Sequence, residues 1–557
     1  MLGIIKAISI PLSAFIFTIL IFWLAPADSG WRWLLIITIP TVLLGIYDWL
    51  QPRWNITRNY PVAGRIRWLF YKLRPYLRAY IVEDDLHGTP FSFDARNLVH
   101  ARARGQTDTQ PFGTERDTSE STYHWLSHSI APAQHPDKSP RVEVGNEQTG
   151  QPYSASVLNV SAMSFGSLSA NAIEALNLGA QQGGFYHDTG EGGVSPYHLK
   201  HGGDLVWELG SGYFGARDKN GHFDPAAFQD RSAHDAIKMT EIKLSQGAKP
   251  GHGGMLPAAK VTEEIAKIRL VPAHQDCLSP AGHSAFATPV EMLEFAAQMR
   301  DLSGGKPVGL KLCIGQPHEV FALVKAIKKT GILPEFIVVD GGEGGTGAAP
   351  LEMSDWVGMP LFDGLILMRN ALVGTGLKKH IRLVASGKVY SGMGLAQNLA
   401  IGADWCNAAR AFMMSVGCIQ AQRCHSGSCP TGVATQSAWR QRGLMPEIKA
   451  EQAARFHEKT LASFAHMLGA AGLEHPSQLR PHHLVHRLGT IHAEPMDQVY
   501  PFLPENILWD EPESTLYADS WRAADPDSFA PAVQLTPRRE QGNYPWASPS
   551  LGCSRKA

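Results

Sequence analysis

Net charge is almost absent from this chain: 50 Lys and Arg stand against 51 Asp and Glu, a formal charge of −1. Without a basic surplus there is no electrostatic footprint for nucleic acid or another polyanion, so partners must be argued from local groups. Repeats and low-complexity blocks are missing too, which excludes a solenoid or an array. No C-x2-C knuckle occurs, the form in which structural zinc usually recruits its ligands. No G-x-G-x-x-G directly follows the early candidate strands SVLNV, GGFYH and TEIKL, so the fingerprint of a dinucleotide-binding open sheet is lacking there. Cysteine is sparse, seven in 557 residues, and four of the seven, Cys277, Cys313, Cys406 and Cys553, are scattered. Three of those four sit in apolar runs and read as buried thiols. What remains is long enough for two or three domains, with the 54 glycines and 37 prolines of a loop-rich α/β protein.

The other three cysteines are concentrated. Cys418, Cys424 and Cys429 fall within twelve residues of the run GCIQAQRCHSGSCPTG, separated by five and four residues. Gly417, Gly427, Pro430 and Gly432 let the backbone turn back, so three thiolates can converge on one inorganic core, and an iron–sulfur cluster fits this spacing. Zinc with His425 as a fourth ligand, or disulfides in an oxidising compartment, are the alternatives.

Two long apolar runs, residues 8–25 and 31–50, stand at the N-terminus. Each is long enough to span a bilayer, and Trp23, Trp31, Trp33, Tyr47 and Trp49 lie near their ends, where amphipathic rings favour the headgroup layer. Residues 1–52 are therefore expected to form a transmembrane helical hairpin in the cell (inner) membrane, with lipid as a partner. A cleaved signal peptide is the alternative for the first run, since Ala25-Pro26-Ala27 resembles a small-residue cleavage site, although Lys6 is its only basic start. Arg53, Arg58, Arg65, Arg67, Lys72, Arg74 and Arg78 follow before Glu83, and the positive-inside rule places the remainder of the chain in the cytoplasm. The segment RIRWLFYKLRPYLR either lies on anionic lipid or packs against the next domain. Residues 53–150 read as a membrane-proximal region that wraps that domain.

From about residue 155, short β-branched runs alternate with helical stretches. The candidate strands are SVLNV, GGFYH, TEIKL, DCLSP, VGLKLC, EFIVVD, IRLVAS and DWCNAA. Eight βα units predict an α/β fold with a (β/α)8 TIM barrel over residues 151–445, its functional groups at the C-terminal strand ends; an open doubly wound sheet is the alternative. Ala454, Phe456, Leu461, Phe464 and Leu468 recur near helical spacing and predict a packed helix within a C-terminal extension, residues 446–557. The tail from about Asp510, rich in Pro, Ser and charge, either drapes over the surface or is disordered.

The loops after these strands hold nearly every chemically interesting group. In DTGEGG, glycines on both sides of Glu191 let a carboxylate approach a bound molecule past a slim backbone. Lys249 in KLSQGAKPGHGGMLP and Arg269 in the following helix supply two cations, which suit the two carboxylates of a dicarboxylic acid. Lys311 lies between apolar residues of a strand and needs an anionic partner there. The loops DGGEGGTGAAP, ASGKVYSG and NAAR bring backbone amides and cations to the place where a barrel binds phosphate.

Cys429 to Gln436 reads CPTGVATQ, and with the other motifs in order over residues 161–436 the chain resembles the glutamate synthases, specifically their FMN-binding synthase domain. The resemblance implies a [3Fe-4S] cluster on Cys418, Cys424 and Cys429, and FMN as the second cofactor. It implies that Ala162, Met163 and Ser164 of SAMSFGS line the flavin and the oxo-acid, that Lys249 and Arg269 bind 2-oxoglutarate, and that Glu191 and Lys249 are the catalytic residues, Glu191 beside the oxo-acid and imine. The cofactor would be held by Gln246, Lys311, Gly344, Gly345, Thr346, Gly347, Ser386, Gly387, Lys388, Ala409 and Arg410, with Lys311 facing the N1/O2 edge of the flavin. The implied reaction is reductive amination of 2-oxoglutarate to glutamate.

Three positions depart from the family pattern. Val194 stands where many relatives are acidic, His252 where they carry Glu, and Met255 where they carry a substrate-contacting Gln. Neither a glutaminase half nor a pyridine-nucleotide module is expected, so ammonia and electrons would come from elsewhere, the latter from ferredoxin, a separate reductase subunit or a membrane carrier. A flavin oxidoreductase acting on another imine or oxo-acid, a flavin-barrel isomerase or oxidase, and a non-catalytic membrane scaffold are the other readings.

Overall fold

The structure, a computed structural model, describes residues 9–533 apart from Ala27 and His135. Lys6, Ala27, Cys553 and the tail beyond residue 533 thus lie outside the described residues. The chain divides into two compact units, Met1–Asp94 and Ala95–Ala557.

In the first unit the helix Ser9–Leu24 packs on the helix Leu35–Leu50, which a 3-10 turn, Gly30–Leu34, extends at its start. Gly45 allows the close approach, because a Cβ there would lie 2.3 Å from Cβ of Pro11. Gly30–Leu50 is 21 residues with a mean hydropathy of 1.7, long and apolar enough to cross a membrane by length and composition. Ser9–Leu24 is shorter, 16 residues, about 24 Å at the helical rise. The expected pair of spans is thus corrected to one helix of spanning length among the described residues. Near its end, buried Asp48 takes the Arg65 guanidinium at 2.6 Å and the Val62 amide at 3.0 Å, which fixes the start of the helix Arg65–Leu77. That helix buries none of its residues and leaves Ile66, Leu69, Phe70 and Tyr71 exposed.

In the second unit eight parallel strands close into a barrel: β1 Leu158–Val160, β2 His187–Asp188, β3 Leu205–Leu209, β4 Ile237–Lys243, β5 Val308–Leu312, β6 Phe336–Asp340, β7 Arg382–Ser386 and β8 Trp405–Ala408. β8 pairs back onto β1, with Asn407 opposite Asn159. The expected barrel is present, but two strand assignments are corrected. LVWEL, missing from the sequence-based set, is β3, so TEIKL belongs to the fourth strand rather than the third. DCLSP is no barrel strand: Cys277–Leu278 pairs antiparallel with Met255–Leu256 as a short ribbon outside the barrel sheet. β3 escapes a pattern search because all five of its residues are buried, so the alternation that marks a half-exposed strand is absent.

The barrel interior is packed by Phe336, Trp405 and Tyr186; the Trp405 indole donates to the Tyr186 hydroxyl at 2.8 Å, which donates to Asn407 at 2.6 Å. Gly309 pairs with Phe336 across β5 and β6, and a Cβ there would lie 2.1 Å from the ring. Gly309→Ala should therefore cost about 1–3 kcal/mol, the usual penalty of overpacking, read as a lowered Tm. An unchanged Tm would mean that Phe336 has room to swing aside.

The antiparallel pair Arg141–Val144 and Tyr153–Ser156 lies over the N-terminal strand ends, where Gly150 and Gln151 donate to the Gly305 carbonyl before β5 and the Tyr153 hydroxyl bonds Asp204 before β3. The helix Pro446–Ala470 packs on the helix Ala170–Gly183, where Gly179 meets Ala450 and Ala453, and it buries Phe456, Leu461, Phe464 and Leu468. As far as Val533 the tail runs along the barrel's outer helices: Lys325 donates to the carbonyls of Trp521 and Ala524, and Trp521 packs on Phe321.

Candidate active site

The C-terminal strand ends gather the charged groups into three neighbouring sets. The deepest surrounds Lys311 of β5, only 3% exposed. Its ammonium lies 2.6 Å from Glu208 of β3, and 3.9 Å from both Asp188 of β2 and Glu241 of β4. Burial alone would discharge Lys311, but the three carboxylates keep it protonated well above its ordinary range. One ammonium cannot neutralise three carboxylates. Burial, and then repulsion from Glu208, pushes Asp188 up to about 7; burial and Asp188 push Glu241 well above the usual range.

The second set surrounds Glu191 in the loop after β2. Its carboxylate lies 3.2 Å from Lys243 at the end of β4 and accepts from the Ser279 hydroxyl at 3.3 Å. Glycines make the room: a Cβ on Gly254 would fall 1.9 Å from a Glu191 oxygen, and one on Gly210 at 2.8 Å. Burial works against the charge, yet Lys243, Arg269 and Lys249 outweigh it and hold the Glu191 carboxyl below its usual range. Arg269 lies against Gly192 and Ser164, donates to the Phe165 carbonyl at 3.2 Å, and has Phe214 5.2 Å from its guanidinium carbon. Its Nε is buried without a hydrogen-bond partner among the described residues. Lys249 is buried, and its ammonium donates to the Ala348 carbonyl at 2.9 Å; burial lowers its pKa, while Glu191 raises it. Met163 and Ser164 close the same wall, the Met163 amide donating to the Asp188 carbonyl at 3.1 Å, with Ala162 beside them half-buried.

The third set lies after β6, β7 and β8. Asp340 ties three loops together, accepting from the Ser386 hydroxyl and the Gly247 amide, each at 2.8 Å. Gln246 donates to the Thr346 hydroxyl, so the glycine-rich loop with Gly344, Gly345 and Gly347 is tethered to the loop after β4. Gly387 at φ +155° and Lys388 at φ +40° turn the backbone sharply after β7. Arg410, next to Ala409 after β8, donates to the Glu343 carbonyl at 2.8 Å and passes so close to Gly345 that a Cβ there would lie 2.8 Å from its Cδ. Burial lowers the pKa of both Lys388 and Arg410, and Arg410 also opposes the Lys388 charge.

The cysteine loop follows β8 and its short helix Arg410–Ser415. Burial and the other two sulfurs push Cys418 up to about 12; burial also raises Cys424. Cys429 moves the other way: burial opposes its ionisation, but the Thr431 hydroxyl and the backbone amides of Ala434, Thr431 and Val433 hold it below the usual thiol range.

Sequence reasoning missed several charged members of these sets, among them Asp340, which opens DGGEGGTGAAP. Lys243 and Glu241 sit in TEIKL and Asp188 opens DTGEGG, so a charged residue inside an apolar strand was an available signal. Glu208 was hidden with its strand. Of the three departures, Val194 is fully buried, the His252 ring bonds its neighbour's carbonyl, Gly253, while its amide donates to the Lys249 carbonyl, and Met255 is 36% exposed.

Residues 114–474 match the family model for the conserved region in glutamate synthase. The chain is 36% identical over 496 residues to the glutamate synthase large subunit-like protein YerD of Bacillus subtilis, covering 81% of this chain and 94% of that one. It is 32% identical over 320 residues to an archaeal-type glutamate synthase [NADPH] of Thermotoga sp., covering 57% of this chain and 60% of that relative's length. A lactate oxidase of Pediococcus acidilactici overlays with a TM-score of 0.40 at 12% identity, over 72% of this chain and 86% of that one, too loosely to add to the topology above. The chain belongs to the glutamate synthase family, a family of oxidoreductases.

Proposed function

We propose that this protein is an FMN- and iron–sulfur-dependent oxidoreductase that reductively aminates 2-oxoglutarate to glutamate, using ammonia and electrons delivered from elsewhere. The observation that carries this reading is the convergence of Lys243, Lys249 and Arg269 around Glu191 at the barrel mouth. Three cations against one carboxylate leave a surplus positive charge, and a dianionic oxo-acid is the small molecule that such a surplus suits.

The residues present fit FMN. Lys388, exposed, and Arg410, half-buried, are cations that oppose each other's charge after β7 and β8; together they would take one phosphate, and Gly345 leaves space that a side chain would fill. Lys311, its ammonium held by Glu208, would face the N1/O2 edge of the flavin. The residues also fit a cluster. Three mutually repelling sulfurs favour a multivalent metal core, and the amides around Cys429 favour a thiolate.

When bound, FMN supplies hydride to a carbon and accepts electrons singly or in pairs, which suits it to a one-electron cluster. The chain's own residues do the rest. Lys249 and Arg269 hold the two carboxylates of the oxo-acid and orient its carbonyl. Glu191, kept ionised by its cations, holds ammonium or accepts a proton as ammonia adds. Met255 cannot donate the amide hydrogen bonds of a Gln, and this favours, as a second reading, a related imine or oxo-acid in the same charged pocket. The N-terminal apolar helix would anchor the protein to a membrane, with the arginine-rich stretch after it on the cytoplasmic side.

Cofactor content tests the proposal. Purified protein is expected to release FMN on denaturation and to contain iron and acid-labile sulfide. Flavin without iron would leave the isomerase or oxidase reading, and protein without either would leave the scaffold.

A further inference from the structure

Lys260 belongs to none of the three sets. It ends the 3-10 turn Ala258–Lys260 in the segment after β4 and is buried, 4% exposed. Its ammonium donates to the Ser167 carbonyl at 2.8 Å and to the Cys424 carbonyl at 3.3 Å. Among the described residues no carboxylate pairs with it. Its hydrogen-bond acceptors among the described residues are these two neutral carbonyls, one of them belonging to Cys424 itself. A buried ammonium without an anion is costly, and lysines are seldom so placed without a partner.

Its two carbonyl partners belong to two different functional loops. Ser167 ends the loop after β1 that carries Ala162, Met163 and Ser164, and Cys424 is the middle residue of the cysteine loop. Those loops are joined again nearby, where Gln436 donates to the Gly166 and Leu168 carbonyls and the Ser169 amide donates to the Val433 carbonyl. The anion missing from the Lys260 environment is thus due on the cysteine side, where three thiolates around a metal core would supply it.

We infer that Lys260 is the counter-cation of the three-cysteine site, a positioning residue that sets the reduction potential of the cluster held there. The inference rests on the iron–sulfur reading above. A reduced cluster carries one more negative charge than an oxidised one, so a buried cation beside it favours reduction. Lys260→Gln keeps a donor for the Ser167 and Cys424 carbonyls but removes the charge; Lys260→Arg keeps both.

The test is an EPR-monitored redox titration of the whole purified protein, with iron and sulfide measured on the same samples. Lys260→Gln should disfavour the reduced cluster about tenfold, a downward shift of about 59 mV for a one-electron couple. Lys260→Arg should stay near the parent value. Iron lost from Lys260→Gln but kept in Lys260→Arg would also support the assignment. An unchanged potential in iron-replete Lys260→Gln overturns it and leaves the cluster reading intact. Iron lost from both variants overturns it too, making Lys260 a packing residue. A parent protein without iron overturns both the inference and the cluster reading.

Discussion

Cys424→Ser protein is expected to purify with its flavin but without iron. Cys424 is the middle of three sulfurs on one loop, and a serine hydroxyl does not ionise near neutrality as a metal-bound thiol does. Losing one of three thiolates should leave the remaining pair unable to hold the core, so iron should fall to background. The flavin should stay because, apart from Ala162 and Met163 after β1, the groups proposed to hold it come from β5 and the loops after β4, β6, β7 and β8, with Ser386 and Gly247 locked on Asp340 and Arg410 on Glu343. Iron and FMN content of the purified variant checks this. Unchanged iron would remove the assignment of the cysteine loop.

The second large effect is at Lys249. In Lys249→Ala one carboxylate of the oxo-acid loses its charged donor. Removing a charge-assisted contact costs roughly 1.5–3 kcal/mol, about ten- to a hundredfold in affinity. The loss should fall mainly on KM for the oxo-acid, because the groups around Lys311 are untouched. Glu191 should remain ionised, since Lys243 and Arg269 still face it. Steady-state kinetics with a chemical reductant would show the split between KM and kcat. Met255→Gln is the counterpart: if the missing amide contact matters, that variant recovers affinity that the parent lacks. If Lys249→Ala behaves as the parent does, this lysine is not the carboxylate ligand.

Much of this architecture was legible before the fold was known, and the exceptions have a common cause. The three cysteines announce themselves because they share one loop. β5 and β6 announce themselves because they are compact apolar runs. β3 does not: Trp207 and Glu208 are both buried, and Glu208 is tolerable there only because Lys311, 103 residues later, closes the pair. DCLSP has a strand's composition, but its partner is the short stretch Met255–Leu256, and the two form a separate ribbon. Lys260 is the extreme case, since its two carbonyl partners lie 93 and 164 residues away. A charge stabilised across the barrel can show in its own strand, as Lys311 does, but its segment carries no mark of the partner, so the pairings within the buried ionic groups are visible only in the fold.

The most direct test of the central claim, that the cation-lined mouth serves a dianionic oxo-acid, is anaerobic stopped-flow reoxidation of the chemically reduced protein, followed by flavin absorbance. The account predicts rapid reoxidation by 2-oxoglutarate and ammonia together, slow reoxidation by either alone, and glutamate formed in proportion. Reduced protein that stays reduced with both present, yet is reoxidised quickly by a monoanionic or neutral oxo-compound, would contradict it.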